Sequence, residues 1–164
     1  QNKPILPELI SNHKKISPFY FKWGKAWYGN NIQPGEIKLG KILAINSGML
    51  IPVKLMEKID GFNPNIPLDF SDLDFVYRVS KIQAEALHIS LKVNHGLSEH
   101  EKKPLSSVKF RFNTYLKGIK YISVEPSTKL LMWYWAKLKA LKLSIKHKNI
   151  YFFTTYLKYF FSGN

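Results

Sequence analysis

Apolar residues recur at helical spacing through the last third of the chain and in two shorter stretches before it. From Ser106, the residues Val108, Phe112, Tyr115, Leu116, Ile119 and Ile122 fall on one helical face, with Lys109, Arg111, Lys117 and Lys120 between them. Pro126 and Ser127 restart a helix that runs to about His147 and is rich in Leu, Trp and Lys. Ile150 to Phe161 is almost wholly apolar and holds seven aromatic residues. Upstream, Pro52 to Ile59 reads as a short helix with Leu55, Met56 and Ile59 on one face. Asp60-Gly-Phe-Asn-Pro64 ends it. Ser71 or Asp72 caps a further helix whose buried stripe is Phe75, Val76, Val79 and Ile82, with Arg78 and Lys81 outside.

Strand signals are shorter. Ile42 to Ile45 is an apolar run that reads as a buried strand, Asn46-Ser-Gly48 as a tight turn, and Met49-Leu-Ile51 as resumed extended chain. Residues 85–93 alternate, with Leu87, Ile89, Leu91 and Val93 on one face and His95-Gly96 at the end. Residues 1–40 read as loop, because Pro4, Pro7, Pro18 and Pro34 alternate with Gly24, Gly29, Gly35 and Gly40. Phe19 to Trp23 and Trp27-Tyr28 interrupt that loop. Their rings either pin it to the core or form a stacking surface for a sugar or base. The fold class is therefore α/β, with a helical extension. Composition changes near Pro104, which predicts a first part at 1–104 and a second at 105–164.

Charge sharpens that boundary. Residues 1–104 carry a net +4, whereas residues 105–164 carry +10 with Glu125 as their single acid. The basic tail prefers an anionic surface, either lipid headgroups or nucleic acid. Its Lys and aromatic residues at helical spacing suit a helix lying in a membrane interface. The same stripes also suit packing on the rest of the protein. Lys109-Phe-Arg-Phe112 keeps a nucleic-acid-binding module open as an alternative, as is a non-catalytic scaffold, although no RRM, KH or helix-turn-helix pattern is present. There is no cysteine, which excludes a disulfide framework and a thiolate zinc site. No apolar run reaches bilayer-spanning length. The start, Gln1-Asn-Lys-Pro, is not a signal peptide and lacks an initiator Met, so the chain reads as a fragment.

Candidate chemistry concentrates where acid is scarce. Asp69, Asp72 and Asp74 share one short stretch in a chain with 11 acidic and 25 basic residues. Mutual repulsion and apolar neighbours raise carboxylate pKa values, so the cluster is a candidate general base, metal site or both. The plainer reading is a solvated helix cap. Arg78, one turn beyond Asp74, is placed to offset the repulsion.

In order along the chain come Ile45-Asn-Ser-Gly-Met-Leu-Ile51, Ile59-Asp-Gly-Phe62, Leu68-Asp-Phe-Ser-Asp-Leu-Asp-Phe-Val-Tyr-Arg78 and His95. Together they resemble the second half of an inverting family 2 glycosyltransferase of the GT-A fold, closest to bacterial rhamnosyltransferase-like members that build cell-surface polysaccharide. The likeness covers residues 4–104 well and the tail more loosely. Asp60 stands where that family has the first Gly of Gly-Gly-Phe.

The resemblance implies that Asp72 is the catalytic base and that Asn46, Ser47, Gly48, Asp69, Asp74 and Arg78 contact substrate. It implies that His95 helps hold a divalent metal, Mg or Mn, or the donor diphosphate. Read without it, His95 is an ordinary polar residue and Asn46-Ser-Gly48 a plain turn. The resemblance further implies a nucleotide-sugar donor and a glycan or lipid-linked acceptor. It implies a peripheral location at the cytoplasmic face of the membrane. That family also has an upstream nucleotide-binding half with an Asp-x-Asp. The 164 residues are therefore expected to be the acceptor-side half, inactive alone.

Overall fold

A computed structural model describes residues 3–28, 32–96 and 104–162. Gly29, His100 and the ends of the chain, on which parts of the sequence reading fall, lie outside the described residues. The chain is a mixed α/β protein with seven strands and five helices among those residues. It divides into two compact units. The first comprises Gln1–Asn63 with Asp72–His100, and the second Pro64–Ser71 with Glu101–Asn164.

The first unit is built on two sheets. Strands β1 (Ile5–Ser11), β2 (Lys14–Ser17), β5 (Gly35–Lys38) and β7 (Glu85–Asn94) form one, in the order β2-β1-β7-β5. Its central pair, β1 and β7, is parallel, and both outer pairings are antiparallel. Strands β3 (Phe19–Lys22), β4 (Lys25–Trp27) and β6 (Ile42–Leu43) form the other, in the order β4-β3-β6. Helices α1 (Val53–Lys58) and α2 (Ser71–Ile82) complete the unit's elements. Leu6, Leu9, Phe19, Leu43, Phe75, Val76 and Val79 are the fully or nearly fully buried centre.

The expected loop over residues 1–40 is instead five short strands. Prolines and glycines punctuate strand ends here and do not dissolve them. Pro7 lies inside β1, at the point where the β1–β7 register shifts between Leu6 and Glu8, so its missing N–H costs no ladder bond. Trp23 and Gly24 both have positive φ, 52° and 71°, and turn β3 into β4 as a tight hairpin. The run Ile42–Ile45 is a strand only over its first two residues, although Ala44 is buried as well.

Strand β7 occupies the predicted stretch, but the face buried deepest is the opposite one, carrying Ala86 and His88. Leu91 is exposed. A buried polar network explains the inversion. The Lys15 ammonium lies 3.2 Å from His88 Nε2, 2.9 Å from Glu8 Oε1 and 2.9 Å from the Ile32 carbonyl. With Nε2 accepting from lysine, His88 Nδ1–H donates to the Leu6 carbonyl at 3.1 Å. The Lys15 hydrogen bond also holds the Glu8 carboxyl below its ordinary pKa. In α2, Phe75, Val76 and Val79 are buried as expected, whereas Ile82 is exposed. Arg78 is not an outside residue but a partly buried one.

The second unit is helical. Helix α3 spans Leu105–Tyr121, α4 Pro126–His147 and α5 Tyr151–Phe161, close to the spans the apolar spacing predicts. Phe112, Leu116 and Ile119 of α3, Met132, Ala136 and Ala140 of α4, and Phe152 and Tyr156 of α5 are buried. The alanines keep the buried stripe of α4 thin, which lets the aromatic α5 pack closely. Residues 64–71 belong to this unit. Gly118 of α3 lies so close to them that a Cβ there would sit 2.5 Å from the Asp69 carbonyl oxygen and 2.8 Å from the Phe70 ring.

Candidate active site

The parallel strands β1 and β7 end side by side, with Ile10 opposite Asn94. The next backbone N–H, that of His95, donates to the Ile10 carbonyl at 2.8 Å and extends the ladder by one bond. Open α/β sheets characteristically bind ligands off the carboxyl ends of such strands. Helix α2 precedes β7, and Asp72 in its first turn lies near His95 at that end.

The turn after β6 reaches the same edge. Met49 N–H donates to the Asn46 carbonyl at 3.0 Å, and Leu50 and Ile5 exchange backbone bonds of 2.9 and 3.0 Å. Gly48 has φ 71°, and a Cβ there would meet Pro7 of β1 at 3.4 Å and Val93 of β7 at 4.0 Å. The left-handed backbone angle favours glycine, while both distances are ordinary contacts that a Cβ could make. Asn46 and Gly48 are exposed and Ser47 is half-buried.

Asp72 is half-buried and accepts a hydrogen bond from the Asn46 backbone N–H. Burial pushes its pKa above the ordinary carboxylate value. The Asn46 bond and the nearby positive form of His95 pull the other way and lose. The expected cause, repulsion from Asp69 and Asp74, is not among the influences on Asp72. Both neighbouring carboxylates are matched by cations of their own.

Asp74 is 0 % exposed, and its Oδ2 accepts from Arg78 Nε at 2.7 Å. The other two guanidinium nitrogens donate to the Ile59 and Gly61 carbonyls at 2.7 and 2.8 Å. This fork ties α2 to the turn after α1, where Asp60 and Gly61 have φ 54° and 62° and Phe62 stacks on Phe75 at 4.3 Å. Asp60 therefore occupies a left-handed position that glycine fills without strain. Arg78 and Asp74, expected to contact substrate, are engaged with the protein itself. Asp69 belongs to the helical unit, where Arg111 lies 3.5 Å from its Oδ1 and Thr114 Oγ1 donates to Oδ2 at 3.5 Å. The three-carboxylate cluster thus resolves into three separate environments. Asp72 alone combines a raised pKa with the Asn46 turn and His95.

Among the described residues, no three His, Cys, Asp or Glu side chains come together as a metal-binding group. Asp72 and His95 offer two donors, and a divalent ion of the Mg or Mn kind needs more oxygen ligands than that. The pair does not by itself fit a metal.

The N-terminal aromatic residues divide between their two expected roles. Phe19 and Phe21 are buried and anchor β3. Trp23, Trp27 and Tyr28 are exposed, with the two indoles edge to face at 5.6 Å. The sequence reading missed Asn46's orienting role through its backbone N–H, which side-chain chemistry does not signal. It also missed the Glu8–Lys15–His88 network, whose one visible trace is a histidine alternating with Ala86 along a strand. No protein-family model matches the chain, and no curated protein matches it significantly.

Proposed function

We propose that this chain is the acceptor-side half of an inverting glycosyltransferase with GT-A architecture, and that Asp72 is its general base. The observation that carries this reading is the position of Asp72. It is a half-buried carboxyl of raised proton affinity at the carboxyl edge of a parallel strand pair, oriented by a backbone N–H and flanked by an imidazole. The order of motifs around it supports the same assignment.

In this reading the acceptor hydroxyl sits within hydrogen-bond reach of Asp72. As its oxygen attacks the anomeric carbon of a nucleotide-sugar donor, the proton passes to the carboxylate. The bond from that carbon to the diphosphate oxygen breaks, and the nucleoside diphosphate leaves with the electron pair. A single displacement inverts the anomeric centre. Partial burial raises the carboxylate's proton affinity and so suits it to the task. The hydrogen bond from Asn46 fixes its direction. The Ser47-Gly48 turn lets a sugar approach backbone, and His95 favours negative charge at the donor phosphates. Asp74 and Arg78 are positioning residues that hold the start of α2. The donor nucleotide is bound by a separate half of the protein. The acceptor is a glycan or lipid-linked sugar of cell-surface polysaccharide synthesis, met at the cytoplasmic face of a membrane. No helix among the described residues is long and apolar enough to cross one.

The test is the pH dependence of kcat/KM for sugar transfer by the polypeptide that carries both halves. The account expects activity to fall as acid protonates Asp72, with an apparent pKa above the ordinary carboxylate value of about 3.9. It expects that limb to disappear in Asp72→Asn and to persist in Asp69→Asn. An acidic limb unchanged by Asp72→Asn would remove this residue from the mechanism.

A further inference from the structure

Helix α4 is apolar on two faces. Met132, Ala136 and Ala140, at i, i+4 and i+8, are buried within the helical unit. A second series, Leu130, Tyr134, Leu138, Leu141 and Ile145, follows the same helical spacing on a different face. These side chains are 64, 54, 40, 37 and 78 % exposed. The series extends for about 22 Å at 1.5 Å per residue. A helix apolar all round is ordinarily buried all round. Here one apolar face has its partner within the unit and the other meets solvent.

The residues bordering the stripe identify its partner. Lys137, Lys142 and Lys146 are exposed and flank it, and Lys148 follows at the helix end. Lys139 and Lys129 point elsewhere: Lys139 lies over the Tyr115 ring at 3.8 Å, and Lys129 donates to the Lys120 carbonyl at 3.0 Å. No acidic residue occurs from Pro126 to the end of the chain. A second copy docked through the same face would bring these lysines against their own equivalents, with no acid to offset them. A bilayer of anionic lipid satisfies both features. Its acyl boundary accepts the apolar stripe, and its headgroups accept the ammonium groups, which reach outward on their flexible stems.

We infer that the Leu130–Ile145 face of α4 is a membrane-docking surface that lies in the interface of an anionic bilayer. The inference rests on the helical unit alone and is independent of the glycosyltransferase reading, since its readout is lipid binding and not sugar transfer.

The experiment uses the full chain and sedimentation with vesicles of phosphatidylcholine, with and without phosphatidylglycerol. Binding is expected to the anionic vesicles, to weaken as salt screens the lysines, and to fall at least ~10-fold in Leu138→Glu/Ile145→Glu. Both substituted side chains are exposed, so circular dichroism should be unchanged. Because the chain has no cysteine, a single polarity-sensitive dye at Leu138→Cys offers a second reading independent of those variants. Its emission should shift to the blue on anionic vesicles and stay unshifted on vesicles of phosphatidylcholine alone. Failure of the folded chain to bind anionic vesicles would overturn the inference. So would preferential binding to an oligonucleotide, or a lipid-free dimer that Leu138→Glu/Ile145→Glu dissociates.

Discussion

Asp72, the proposed base, is a residue whose ionised form is disfavoured by the fold. Its carboxyl has a raised pKa in the folded chain because burial disfavours the ionised form. The protonated form therefore favours folding. That contribution is fully present below the unfolded-state pKa of about 3.9 and is lost as pH rises through the higher folded value. At neutral pH the ionised residue destabilises the fold. Asp72→Asn, which keeps an oxygen able to accept from the Asn46 N–H, is expected to raise Tm at pH 7. The gain should vanish below about pH 3.9, as thermal melts of the two chains across pH would show. Arg78 makes the opposite contribution. Its fork satisfies the buried Asp74 and two carbonyls together, and lysine cannot reproduce that geometry. Arg78→Ala leaves a buried carboxylate without its cation. It should destabilise by about 3–5 kcal/mol in denaturant melts, with Arg78→Lys recovering only part of the loss.

At the level of elements, legibility followed periodicity. Helices α2 to α5 lie close to their expected spans because a 3.6-residue apolar repeat sustained over several turns has few competing explanations. The first 40 residues defeated the same approach because their strands are only three to seven residues long and start or stop at Pro and Gly. Pro7 within β1 makes the point. Proline argues against a strand unless the ladder happens to shift there, and only the partner strand β7 reveals that it does. Strand β7 itself was legible as an element but not in its deeper face, because Lys15 and Glu8 make His88 a buried residue from more than seventy positions away. Residues 64–71 carry no sequence sign of belonging with the helical unit. Gly118 is what permits their approach to α3. Gly118→Ala should therefore destabilise the chain by about 3 kcal/mol, because the new methyl meets backbone at Asp69 that cannot rotate away. A Gly118→Ala midpoint within experimental error of the parent would show that the segment can yield.

Across the whole chain, Asn46, Asp72 and His95 meet within the first unit, where Asp72 accepts from the Asn46 N–H and lies near His95. The fate of the neighbouring carboxylates was only half legible. The pairing of Asp74 with Arg78 follows from i,i+4 spacing, whereas Asp69 meets Arg111 and Thr114 from 42 and 45 positions downstream. The basic tail's charge was plain from composition, but the separation of its apolar residues into a buried stripe and an exposed one required the packed helices. The central claim remains the proton acceptor. The most direct measurement is the single-turnover rate of sugar transfer by this chain joined to the proposed donor-binding half, with Asp72 replaced by Asn and folding checked by melting. The account predicts a loss of at least ~10²-fold with Tm equal to or above that of the parent. A rate within a few-fold of the parent would contradict it.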